Sequence, residues 1–365
     1  MKFFNLRIGV AALTAALALG AASTANAVTV YTSSNDAGGN RILTFESKGA
    51  TGAFIEKRPV STGGLGSGGG LGSQDALTLA RNGRVLLAVN AGSNDVSTFR
   101  VRRNGVRLIG VYPSGGVMPT SVAVHDDLVY VMNAGGETNV SAFRLERDGS
   151  LTPIPNSTRS LSVAASAPAQ VGFNGAGDAL VVTERATNNI RVFPVDEDGL
   201  LGEPVDNASS GQTPFGFTFD RRDNLLVSEA FGGAQNQAAL SSYGLNIDDL
   251  SLETVTGSAS ADQTAGCWVV TSRNGRYAYV TNTGSGTVTG YSVGRTGAVT
   301  RLSNDPVTGV TGGNPLDASV RANTMFVLTP RNGEIVPFKI EHDGSLTRER
   351  PISGVSTTAA GVVAW

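Results

Sequence analysis

Two acidic side chains, Glu184 and Glu229, recur at the same place in successive copies of a repeating unit and are the strongest acid or base candidates in the chain. A carboxyl buried beside aromatic walls titrates closer to neutrality than one in water, as a general base requires. The alternative is that each glutamate hydrogen-bonds the backbone of a neighbouring element and only holds the fold. Arg185 suits an anionic substrate, or an ion pair with Glu184 beside it. Gln170, Phe215, Trp268, Asp317, Asn282 and Gln74 supply a polar substrate-binding ring with aromatic walls, which Thr120, Cys267, Asn90 and Asn133 extend. Asp317 with Glu184, Glu229 and Asn282 offers oxygen ligands to a cation, but no dense acidic loop supports a metal, and none is expected. Nucleophilic triads usually need a histidine, and the chain has only His125 and His342. Both fall in turns, one between the first two strands of its repeat and one at an outer hairpin, and neither is expected to reach a central site.

The elements that position these groups are legible from repetition. Short apolar runs are followed by an aromatic at Phe45, Phe99, Phe143, Phe193, Tyr243, Tyr291 and Phe338. Glycine follows six residues later at Gly105, Gly149, Gly199, Gly297 and Gly344, which marks a hairpin turn. The second copy reads as four antiparallel strands, Ala76 to Leu79, Val85 to Asn90, Val96 to Val101 and Leu108 to Tyr112, and the third copy repeats them. The ends of the second strands, Asn90, Asn133, Glu184, Glu229, Asn282 and Thr329, lie about 43 to 53 residues apart, near the period of propeller blades. The expected fold is all-β, a seven-bladed propeller of four-stranded antiparallel blades. The first copy, Val28 to Arg58, lacks a leading strand, and Ala359 to Trp365 is a strand with no followers. Pairing the two closes the ring.

Lys2, Arg7, the apolar stretch from Ile8 to Leu19 and Ala25-Asn26-Ala27 read as an export signal over residues 1–27, leaving 28–365 as one propeller domain outside the cytoplasm, periplasmic or extracellular. No later run approaches the roughly 20 apolar residues of a membrane helix. A formal charge of -2 with scattered Lys and Arg argues against nucleic acid. Cys267 is the only cysteine, so no internal disulfide supports the fold. Gly64, Gly66 and Gly69 match a dinucleotide-binding pattern, but no βαβ unit surrounds them, so Gly63 to Gly72 reads as a flexible connector and no cofactor is expected.

Tyr279-Val280-Thr281-Asn282, Val129-Tyr130-Val131-Met132-Asn133 and the strand-Asp-Gly-strand units resemble the seven-bladed lactonase propellers, which include 6-phosphogluconolactonase and 3-carboxymuconate cyclase types. Ser73-Gln74, Pro168-Ala169-Gln170-Val171, Thr213-Pro214-Phe215-Gly216-Phe217 and Cys267-Trp268-Val269-Val270 are similar to an exported, carboxymuconate cyclase-like subgroup. The resemblance implies a central site marked by histidines, arginines and a glutamate. Glu229 matches the glutamate, whereas Gln170 stands in place of a histidine, Phe215-Gly216 in place of Arg-His, and Thr283 in place of an arginine. Without guanidinium partners a neutral ligand fits better than a carboxylate or phosphate. Two functions are expected from this reading. One is an exported lactone hydrolase or lactone-forming isomerase with Glu229 as base, assisted by Glu184; the other is a non-catalytic binding or adhesion propeller.

Overall fold

The computed structural model describes Met1 and residues 27–48 and 52–365. The export-signal reading falls on residues 1–27 and so lies almost wholly outside the described residues. The chain forms seven antiparallel sheets, each a blade whose strands follow one another outwards from the axis. The inner strands of blades 2 to 7 are Leu77–Ala80, Val117–His125, Pro168–Phe173, Pro214–Phe219, Gly266–Thr271 and Asp317–Arg321. Helix among the described residues is confined to two three-residue 3-10 turns, Phe231–Gly233 and Pro330–Asn332.

Blade 1 is completed by the last strand, Ala360–Ala364, which pairs antiparallel with Thr29–Ser33. Tyr31 faces Val363 and Val30 faces Ala364 in this register. Thr32 Oγ1 donates to the Gly361 carbonyl at 2.7 Å and Ser33 Oγ to that of Ala360 at 2.9 Å. The C-terminal strand therefore closes the ring and removes the inner edge of the first blade.

The seven recurrent aromatics explain why the blades pack. Each is at most 2 % exposed. Each sits in a separate apolar cluster shared with the preceding blade: Phe45 packs with Phe326 and Leu328, Phe143 with Leu87 and Val89, and Phe193 with Tyr130. A ring of wedge-shaped interfaces with one large ring in each replaces a single core. The hairpin glycines lie in the left-handed region, as at Gly199 (φ 78) and Gly344 (φ 88), and their carbonyls accept hydrogen bonds from Tyr130 and Tyr279 of the preceding blade, at 2.6 and 2.9 Å.

Near the axis, side chains also stitch each inner strand to the next. Thr78 Oγ1 donates to the Val122 carbonyl (2.7 Å), Ser121 Oγ accepts from Val171 N (3.2 Å), and Gln170 Oε1 accepts from Phe217 N (2.5 Å). Asp317 Oδ2 accepts from Val362 N at 3.0 Å and Ser319 Oγ from Ala364 N at 3.1 Å, which ties blade 7 to the closing strand.

The glycine-rich segment is not the free connector expected from its composition. Its backbone is bound across blades 1 and 2: Gly66 N donates to Asp36 O, Gly68 N to Asn35 O, and Leu65 O accepts from Gly92 N. The reason for glycine is close backbone approach, since a Cβ on Gly66 would stand 2.0 Å from the Asn35 carbonyl carbon.

Candidate functional site

The second-strand ends that recur so regularly form latches within and between blades. Asn90 Nδ2 donates to Ser97 Oγ at 2.7 Å, and Asn282 Nδ2 to Thr287 and Thr289 at 3.1 and 3.0 Å. Glu229 occupies the same place and is fully buried. Its carboxylate accepts from Ser241 Oγ (2.5 Å), Gly211 N (2.8 Å) and Ser258 Oγ (2.7 Å). Glu184, also fully buried, accepts from Ser162 N at 3.0 Å, from Ser162 Oγ and from Thr187 Oγ1 at 2.9 Å. Serine and backbone donors thus hold both carboxylates, and neither lines the central cavity.

Arg185 and Glu184 form no ion pair. The guanidinium instead donates from Nε to the Ala167 carbonyl at 2.9 Å and lies 5.0 Å over the Phe215 ring. Phe215 meets Trp268 edge to face at 5.1 Å, and with Cys267 and Ala169 they fill the axis where the inner strands begin. Burial pushes the Cys267 thiol up to about 12, so it is an inert packing group there.

Beneath this aromatic layer the segment Ser73 to Asp75 crosses the axis. Trp268 Nε1 donates to the Ser73 carbonyl (2.8 Å), and Gln74 N donates to that of Ala169 (3.0 Å). The Gln74 amide spans from blade 2 to blade 6, donating to Val269 O at 3.0 Å and accepting from Val269 N at 3.2 Å. It passes over Gly216, where a Cβ would lie 2.2 Å from Gln74 Oε1. Gln74 is therefore a strut, and its backbone and side-chain amide bonds pair strand edges that the channel would otherwise leave open.

Below the strut a cavity of about 570 Å³ runs to the ends of the inner strands. This volume is within the range of small-molecule sites, roughly 300–1,000 Å³. Asp75 and Gln170 are at its floor, Val122, Phe217, Val269 and Val362 are among its walls, and His125, Asn174, Asp220 and Thr271 stand towards its rim. Val122 N donates to the Asp75 carbonyl at 2.9 Å. Three steps of strand run from Val122 to His125, so the channel is roughly 10 Å deep. His125 therefore reaches the central channel, contrary to expectation, because a turn after the inner strand borders the opposite mouth of the ring. It packs 5.7 Å from Phe173. His342 stays at its outer hairpin, where its carbonyl accepts from Tyr277.

Asp75 was not singled out from the sequence. Its signal was its place beside Gln74, ahead of an inner strand only four residues long. Its backbone is left-handed (φ 61), which turns its carboxylate towards Gln170, whose Nε2 donates to Oδ2 at 2.6 Å. Gln170 Oε1 is held by Phe217 N, so the amide is fixed with its donor towards the acid. Protein surrounds Asp75 while its side chain retains contact with the cavity. Desolvation raises its pKa to about 7, and the Gln170 hydrogen bond lowers it only in part. Asp317, 2 % exposed, is raised well above the usual carboxylate range by burial and then by the charge of Asp75. No Lys or Arg lines the cavity among the described residues. The sequence-derived candidates are thus divided: Gln74 and Gln170 border the cavity, Asp317 lies beside its floor, Phe215, Trp268 and Arg185 close the far end, and Asn282, Glu184 and Glu229 are latches.

The sequence model of the family described as Lactonase, 7-bladed beta-propeller, matches residues 39–164, within blades 1 to 3. Solved structures extend the likeness around the ring. The periplasmic gluconolactonase of Pseudomonas aeruginosa is 15% identical, with 93% of this chain and 99% of that one covered and a TM-score of 0.73. A candidate 6-phosphogluconolactonase of Bacteroides fragilis NCTC 9343 is 18% identical over 94% of this chain and 99% of its own, with a TM-score of 0.71. A protein of Lactobacillus plantarum matches at 14% identity, 93% and 99% coverage and a TM-score of 0.73. No curated protein matches the chain. The resemblance to seven-bladed lactonase propellers read from the sequence is thereby shown.

Proposed function

We propose that this lactonase-type propeller hydrolyses a small neutral lactone in its central channel, with Asp75 as the general base. The observation that carries the reading is one carboxylate at the floor of a polar cavity, poised near neutrality and aimed by an immobilised amide. Asp75 takes a proton from a water molecule as its oxygen attacks the lactone carbonyl carbon. The ring C–O bond then breaks, and the departing alkoxide takes the proton back from Asp75. Water and lactone give a hydroxy acid, and the base is restored. Gln170 holds Asp75 in place without touching the reacting atoms. The neutral preference follows from a cavity lacking Lys and Arg, and a gluconolactonase among the similar folds supports a sugar-sized lactone. In this reading Glu229 and Glu184 hold their blades.

Residues 28–365 act as one domain, released outside the cytoplasm after cleavage behind Ala27. A periplasmic protein among the similar folds supports this, and N-terminal sequencing of the secreted protein is expected to begin at Val28.

Acid release from neutral, aromatic and anionic lactones, followed in weakly buffered solution, tests the chemistry. Neutral lactones are expected to turn over, with kcat rising with pH through about 7 as Asp75 ionises. Asp75→Asn should slow turnover by roughly 100- to 10,000-fold. Glu229→Gln should lower the melting temperature and keep turnover, because an amide cannot accept all three donors. Turnover retained in Asp75→Asn and lost in Glu229→Gln would return the base to Glu229. No acid release from any lactone would favour a non-catalytic binding propeller.

A further inference from the structure

We propose that Asp75 makes the channel selective by charge, so that it admits a neutral lactone and expels the carboxylate formed from it. This rests on the hydrolytic reading above and gives Asp75 a second role, in specificity, with Asp317 packed behind it.

The geometry begins at the closing strand. Asp317 accepts from Val362 N at 3.0 Å and from Ala318 N at 2.8 Å. One residue earlier, Gly361 lies so close to blade 2 that a Cβ there would stand 2.9 Å from Leu77 N and 3.1 Å from the Ala76 Cβ. Asp75 directly precedes Ala76. The two acids therefore flank the same short stretch of the closing strand, one on each neighbouring blade.

Among the described residues no opposite charge balances them. Gln170 gives Asp75 a neutral donor, and Asp317 has only backbone donors. Asp220, at the rim, is occupied by Arg222 N, Asn224 N and Asn224 Nδ2. His125 stands at the rim, roughly 10 Å from the floor by strand length. A substrate that enters uncharged meets no penalty. Hydrolysis adds one water and produces a carboxylic acid where the lactone carbonyl stood, beside Asp75. Loss of that acid's proton to solvent leaves a like charge in a poorly screened site, with no guanidinium or ammonium to hold it. The same arrangement that accepts the lactone rejects its product, which limits product inhibition and gives the channel a direction.

Isothermal titration of the intact propeller with gluconolactam, which is neutral and resists opening, beside gluconate separates the possibilities. The lactam is expected to bind wild type at least tenfold more tightly than gluconate at pH 8. Asp75→Asn should narrow that ratio, chiefly by strengthening gluconate binding, whereas Asp317→Asn, which leaves the Asp75 charge in place, should keep it. Should Asp317→Asn fail to fold, Asp75→Asn alone decides the proposal, and an unchanged ratio in that variant would overturn it. Equal affinities for the two probes in wild type would overturn charge selection while leaving hydrolysis standing. Binding of neither probe would overturn the sugar-lactone reading, and the inference with it.

Discussion

Deleting Ala359 to Trp365 is expected to abolish the cooperative thermal transition of the propeller or to lower its midpoint by more than about 5 °C. Those residues supply the inner strand of blade 1, with Val362 and Ala364 buried in the cluster that joins blades 7 and 1. Val362 contributes roughly 1.5–3 kcal/mol by burial and the half-buried Val363 less, before the ladder hydrogen bonds and the Asp317 and Ser319 stitches are counted. Against a total stability of about 5–15 kcal/mol this loss is large. Losses near 5 kcal/mol move the midpoint of a domain of this size by about 7 °C. Trp365 adds a contact of its own, lying under Gly83 and 4.3 Å from the Arg321 guanidinium. A calorimetric scan of the truncated chain that reproduces the intact midpoint would contradict closure by this strand.

Asp75→Asn is expected to stabilise the protein at alkaline pH even as it removes turnover. The folded-state pKa is about 7 against an ordinary 3.8. Below about pH 4 the group is neutral in both states and exacts no penalty. As pH rises from about 4 to 7 the unfolded chain ionises while the folded one resists, so stability falls, and it levels off above 7. Three pKa units correspond to about 4 kcal/mol, a ceiling that water in the cavity reduces. The asparagine variant carries no such penalty, so its melting temperature should exceed that of wild type by several degrees at pH 8 and by much less at pH 5. Melting curves at the two pH values that differ from wild type by the same amount would show that Asp75 is not held out of water. A functional acid that costs stability is the pattern expected where an active group is placed against the interests of the fold.

The architecture was legible because each blade repeats the same physical demands: an aromatic for the wedge, a left-handed glycine for the outer hairpin, and a polar residue to end the second strand. That regularity also drew attention to Glu184 and Glu229, since a latch and a catalytic acid both call for a buried carboxylate near the axis. What distinguishes them is the set of serines and backbone donors around each, brought from segments up to 29 residues away. Asp75 was hidden for the opposite reason. It lies in a connector outside the repeat, and its position depends on a left-handed turn and on contacts with blades 3 and 4 that no local pattern encodes. His125 was misplaced because a propeller channel has two mouths, and the sequence reading considered only the one where inner strands begin.

The pairing of the final strand with the first also fixes an order of events during synthesis. Thr29–Ser33 leaves the ribosome early, yet its inner partner, Ala360–Ala364, emerges more than three hundred residues later. Until that strand is made the first blade offers an unsatisfied edge, open to pairing with neighbouring nascent chains. The ring thus closes only once its last strand has been made, and a chaperone that shields that edge would serve this protein better than one that accelerates any single blade.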